Sequence, residues 1–165
     1  MGKVIASFQN GYRGTVSRQK DDVIKSFKNA GGVDIPFGVP VFLKVNDDGV
    51  EMFGEDSVDT RFVGFSVRIP DKTPDTLPTS QFADPPEAKY TPNDPVDVLV
   101  RGSMVVPIEG TAKVGAPVYL NADGGALITT PGAQDVAIRL TNVTVSRPKD
   151  ASGMAEIVIT KRNLV

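Results

Sequence analysis

From residue 36 onward the apolar positions keep the two-residue period of strands that bury one face. Val41-Phe42-Leu43-Lys44-Val45 runs into the turn cluster Asn46-Asp47-Asp48-Gly49, and Val50-Glu51-Met52-Phe53 follows, so the pattern predicts a hairpin. Residues 61–69, RFVGFSVRI, predict a further strand, with Gly64 a bulge or a point of close approach. Val96, Val98 and Val100 alternate with Asp97, Leu99 and Arg101 up to Gly102, and residues 103–108 read as the next strand. Val136, Ile138 and Leu140 share one face, whereas Val143 and Val145 have the opposite parity. A one-residue change of that kind turns a strand over, so a bulge or a change of sheet is expected at Thr141–Asn142. Ala155, Ile157 and Ile159 mark the buried face of a last strand. Residues 21–28, DDVIKSFK, fit one helical turn as well as a strand.

The pattern also contains an internal echo. Gly38-Val39-Pro40-Val41-Phe42-Leu43 returns 77 residues later as Gly115-Ala116-Pro117-Val118-Tyr119-Leu120, and a turn rich in Asn, Asp and Gly follows each copy. Two related hairpins in one domain predict a pseudo-symmetric β-barrel or sandwich.

Two stretches stand outside this pattern. Residues 1–20 are polar and Gly-rich, with Phe8 and Tyr12 spaced along them, and read as an extended arm. An aromatic ring on such an arm either anchors in a pocket of a neighbour or closes the chain's own core. Residues 70–95 hold seven of the thirteen prolines, a density that no sheet interior accepts because proline donates nothing to the ladder. They read as a long, semi-rigid surface loop. The expected architecture is all-β: one compact β-barrel or sandwich of short antiparallel strands over residues 21–165, with an N-terminal arm and a Pro-rich loop. The length of 165 residues fits one domain.

Composition removes most enzyme chemistry. The chain has no His, no Cys and no Trp. It therefore lacks a His general base, a thiol nucleophile, a thiolate zinc site and any disulfide. Ser66 and Ser103 lie in no G-x-S-x-G elbow, and no phosphate-binding or dinucleotide loop is present. Asn46, Asp48, Gly49 and Glu55 imitate part of a calcium loop, but Lys44 occupies the first ligand position, so a plain turn is expected. Asp21-Asp22 and Asp47-Asp48 are adjacent pairs, which point to opposite faces of a strand and make no carboxylate dyad. Neither a catalytic residue, a metal nor a cofactor is expected.

The net charge of −2 is unevenly spread: +4 over residues 1–28, −9 over 29–135 and +3 over 136–165. Such a division suits either head-to-tail contacts between copies or neutralisation within one subunit. The absence of any Lys/Arg run argues against nucleic acid as a partner, and the shortness of the apolar runs argues against a membrane.

Five stretches together resemble the head cement, or capsid decoration, proteins of tailed phages. They are Phe8-Gln9-Asn10-Gly11-Tyr12-Arg13-Gly14, Ile35-Pro36-Phe37-Gly38-Val39-Pro40-Val41, residues 62–68 (FVGFSVR), residues 90–102 (YTPNDPVDVLVRG) and the GAPVYL copy at 115–120. The resemblance implies a β-rich protein on the outer surface of a phage head, made in the host cytoplasm, bridging neighbouring major capsid proteins and self-associating as a homotrimer. On that reading Phe8, Tyr12, Arg13, Arg18, Phe82 and Tyr90 are expected to contact the capsid or a neighbouring subunit. Another virion component, such as a tail-tube, head-completion or fibre-anchoring subunit, is the alternative. Residues 10–14 also echo the Tyr-Arg-Gly stretch of dUTP pyrophosphatases, without that family's Gly-rich C-terminal phosphate motif.

Overall fold

A computed structural model describes residues 9–46, 49–54, 57–69, 89–132 and 136–163, the side chains of 18–20 excepted. Phe8, Phe82 and most of the Pro-rich stretch lie outside the described residues. Among these residues there is no α-helix. The strands are β1 (Val16–Lys28), β2 (Ile35–Pro36), β3 (Pro40–Leu43), β4 (Val50–Met52), β5 (Phe62–Ser66), β6 (Lys89–Tyr90), β7 (Pro95–Pro107), β8 (Pro117–Asn121), β9 (Leu127–Ile128), β10 (Ala137–Arg147) and β11 (Met154–Ile159). The fold is all-β, built on a curled antiparallel half-barrel sheet, as the alternation predicts.

The main sheet runs β4-β3-β5-β7-β11-β10-β8-β9, and β1 pairs with β7. Read from either end, the order is hairpin partner, first strand, third strand, fourth strand. β3–β4–β5–β7 and β8–β9–β10–β11 are thus two copies of one four-stranded unit that meet where β7 pairs with β11. The repeated GxPV(F/Y)L segments are the first strands of the two units, which is the pseudo-symmetry that the echo predicts. The units differ in the link before their fourth strand. In the second unit residues 148–153 suffice; in the first, the chain takes from Val67 to Asp94.

Residues 21–28 form part of a strand rather than a helical turn. Ile24 to Phe27 pair with Leu99 to Val96, and the continuous ladder decides what the ambiguous pattern left open. Beyond Lys28, Asn29 bridges to Val50 on β4, so β4, β3, β5, β7 and β1 wrap round a small core. That core holds Ile35, Phe37, Val41, Val63, Tyr90, Val96, Val98 and Val100, and the β2–β6 ribbon contributes to it. The other face carries the larger core, where Phe42, Phe62 and Phe65 meet edge to face at centroid distances of 5.8 and 5.5 Å. Each such buried ring contributes roughly 1.5–3 kcal/mol by leaving water.

One strand serves both cores. Residues 95–107 are not two strands divided at Gly102 but one, which exchanges its faces there. Val96, Val98 and Val100 point into the small core; beyond Gly102 the same parity, Met104 and Val106, points into the large one. Gly102 has φ of 125°, and a Cβ there would run into the Asp22 side chain. Asp22 accepts the Ser103 N–H at 3.3 Å, and burial raises its carboxyl pKa. A second exchange of faces occurs at Asn142, whose φ is 63°, where the parity change predicts it. The expected hairpin is β3–β4, and Gly64 abuts the Leu99 carbonyl beside a register shift.

Gly102→Ala is expected to destabilise the protein by roughly 1–3 kcal/mol, since it adds both backbone strain and a clash. Gly124→Ala, where an added methyl would meet open space, should change stability by less than about 0.5 kcal/mol. Paired denaturant titrations of the two variants measure the contrast.

Candidate interaction surface

The segments that carry the family resemblance come together at one junction. Its centre is a close contact between two glycines: a Cβ on Gly38 would lie 2.7 Å from the Gly14 nitrogen, and one on Gly14 would lie 2.8 Å from the Phe37 Cβ. Backbone can approach backbone this closely only where neither residue has a side chain. Gly14 donates its N–H to the Val105 carbonyl and accepts the Arg68 N–H, both at 2.8 Å. Ser66, fully buried, donates its hydroxyl to the Pro36 carbonyl at 2.6 Å and accepts the Val39 N–H at 3.1 Å. The hydroxyl is committed to the turn before β3 and is no nucleophile.

The described part of the expected arm is fastened to this junction. The Asn10 N–H donates to the Asp150 carboxylate at 2.7 Å, and its side-chain amide donates to the Pro148 and Met154 carbonyls at 2.9 and 2.7 Å. The amides of Asn10, Ser152 and Met154 and the Ser152 hydroxyl all donate to Asp150, and hold its carboxyl below the usual carboxylate range, Asn10 contributing most. Beyond the Asn10 clasp the chain makes a tight turn over residues 12–15, in which Thr15 N–H donates to the Tyr12 carbonyl at 3.1 Å. Residues 16–20 then already belong to β1.

The turn displays Tyr12. Its ring is 74% exposed, yet the Arg68 guanidinium lies 5.3 Å from its centroid and 6.0 Å from that of Phe37. The cation holds the exposed ring against the body. Arg13 is half-buried and lines two adjoining cavities of 360 and 380 Å³. Tyr12 and Arg13 are therefore brought together at one surface. Arg18 lies in β1, its side chain outside the described residues, as Phe8 and Phe82 are.

Tyr90 does not belong to that surface. It is fully buried, edge-on to Phe37 at 5.4 Å, and its hydroxyl donates to the Val67 carbonyl at 2.6 Å. Burial, chiefly, pushes its phenol pKa well up. Its place in the Pro-rich stretch predicts contact with another chain; β6 instead folds it inward against β2. Asn93 beside it has φ of 69°, so the Asn fills the left-handed turn position where Gly is the usual residue. Arg68 is the residue that sequence reasoning missed. Its partner Tyr12 is 56 positions away, and no local pattern signals the pairing.

Chemically this surface offers an exposed aromatic, guanidinium groups and an apolar groove. Among the described residues no three His, Cys, Asp or Glu side chains lie close enough to hold a metal ion. The description that fits is a contact surface on an all-β body. In agreement, the structural cement protein family (E217 gp24/Pam3 gp6) matches residues 3–160, and the chain belongs to that family of phage structural proteins. It is a virion structural protein of a bacteriophage, associated with the capsid. In fold it is similar to a chain of the capsid of Myoviridae phage XM1, with a TM-score of 0.70 at 14% identity, covering 96% of each chain. The head fibre gp8.5 N base of bacteriophage phi29 aligns over 87% of this chain and 99% of its own, also at 14% identity, but its TM-score of 0.41 is below that of a shared fold. No curated protein sequence matches the chain.

Acid should loosen the Asn10 clasp. Because the Asp150 carboxyl is held low in the folded protein, its contribution to stability is complete above the ordinary carboxylate pKa of about 3.9 and is lost as pH falls through the lower folded value. Protection of the Asn10 and Gly14 amides, relative to intrinsic exchange at the same pH, should fall selectively below about pH 4. In Asp150→Asn that protection should already be low at pH 7 and should not fall further in that window.

Proposed function

We propose that this protein decorates the outer surface of the phage head as a homotrimer, bridging neighbouring major capsid proteins and stabilising the mature shell without catalysing any reaction. The observation that carries the reading is Tyr12: a large ring, 74% exposed, on a turn clasped at both ends and stacked by Arg68. A pre-positioned aromatic gives up little conformational freedom when it binds, which is the character of an interface anchor. Arg13 extends the contact with charge, and Phe8, Arg18 and Phe82 are further contact residues on the strength of the sequence alone. Tyr90 is withdrawn from the contact set, because a fully buried ring touches no partner.

Stabilisation follows from linkage. A protein that binds the assembled lattice and not its separated subunits stabilises the lattice by RT ln(1 + c/Kd) per site, where c is its free concentration. Repetition over the shell lets modest contacts per copy suffice.

The test is co-sedimentation with heads that lack the protein, together with the melting temperature of the heads. The intact protein should bind saturably and raise the melting temperature. Tyr12→Ala should fold normally and weaken binding at least tenfold, the loss expected of an anchor worth more than about 1.4 kcal/mol. The part played by the arm is measured by removing residues 1–8, since removing 1–20 would also delete the first five residues of β1. Failure of the intact protein to bind expanded heads would overturn the decoration role and favour a tail or head-completion role.

A further inference from the structure

The two cavities that adjoin Arg13 also share Val39, Pro40 and Gly125, and so form one groove between the two four-stranded units. On one side stands the turn before β3; on the other, the β8–β9 turn. Pro36, Pro40 and Pro107 are part of the lining and supply no N–H donor. Phe53 and Leu120 give one cavity an apolar wall, and beside Arg13 each cavity carries one carboxylate, Asp123 or Glu109. Such a groove suits an extended segment with spaced apolar residues and a cation.

The chain itself contains such a segment. Residues 1–8 are MGKVIASF, with Val4, Ile5 and Phe8 apolar and Lys3 cationic. They precede the Asn10 clasp, which is made to the 148–154 turn, and Ser152 and Gly153 of that turn line the groove. Eight residues reach at most about 26–29 Å when extended, comparable to the ~30 Å diameter of a small domain. Lys3 is the only charged side chain of residues 1–8, and it complements the carboxylates of Asp123 and Glu109 in the groove.

Resting on the decoration role, which sets copies side by side on a shell, we propose that residues 1–8 of one copy occupy the Arg13 groove of a neighbouring copy. Val4, Ile5 and Phe8 fill the apolar wall, and Lys3 is set against the groove carboxylates. Arm and groove are different surfaces, so the contact is head-to-tail and a ring of copies closes it.

The chain contains no cysteine, so introduced thiols report the contact cleanly. Full-length Ser7→Cys and Ala122→Cys chains are mixed and oxidised, once concentrated in solution and once bound to heads that lack the protein. A disulfide-linked heterodimer in either setting, absent when Lys161→Cys replaces Ala122→Cys, is the expected result. No heterodimer in both settings overturns the inference. So does an intramolecular disulfide in the Ser7→Cys, Ala122→Cys double variant with no heterodimer from the mixture, because the arm then lies in its own groove. Sedimentation in the same experiment separates the two readings: heads that bind the protein without heterodimer leave decoration standing and refute arm exchange. A heterodimer in solution with no binding to heads does the reverse.

Discussion

The structure depends on a single strand that belongs to two cores. β7 pairs with β1, β5 and β11; its even-numbered apolar side chains enter the small core before Gly102 and the large core after it, while Leu99 on the opposite face already faces the large core. A regular strand of thirteen residues would present one apolar face throughout, and one of the two cores would lose its wall. The left-handed backbone at Gly102 makes the double duty possible, and the Asp22 side chain fills the space that a Cβ would need. The two four-stranded units and β1 are organised around that point.

The functional surface inherits this rigidity. The Asn10–Gly14 turn is short and polar, and turns of that kind are ordinarily mobile. Here it is bonded to β7 through Gly14 and Val105, to the chain just after β5 through Arg68, and to the 148–154 turn through Asn10. Tyr12 is consequently an exposed ring with a fixed position. For a protein whose family is structural, that is a more useful property than a reactive group. The residues around Tyr12 are spent on geometry: Ser66 holds a turn, Gly14 and Gly38 let two backbones touch, and Arg68 carries a ring.

Much of the fold was legible in the sequence, because it rests on local signals. The β3–β4 hairpin is written in its alternation and turn residues, the face exchange at Asn142 in a shift of parity, and the pseudo-symmetry in the repeated GxPV(F/Y)L. The features that were not legible depend on contacts distant in sequence. β1 is a strand because β7 offers a ladder, since Val23, Ile24 and Phe27 satisfy either period. The continuity of β7 was hidden because a glycine that ends a strand and one that turns it over look alike. At the site, Tyr12 and Arg13 were visible from their motif, whereas Arg68 was not. Tyr90 was misplaced because its proline-rich neighbours suggested solvent, while its hydroxyl had a buried carbonyl to satisfy.

The pseudo-symmetry has a consequence for how the molecule can change. The same link, from third to fourth strand, is made in six residues in one unit and in twenty-eight in the other. Both versions close an antiparallel pair onto the same central seam, so the length of the link is decoupled from the integrity of the sheet. A position with that freedom is a natural grafting point. The first unit carries proline-rich sequence there and also β6, whose Tyr90 the small core requires, so a grafted peptide must leave Lys89–Tyr90 in place.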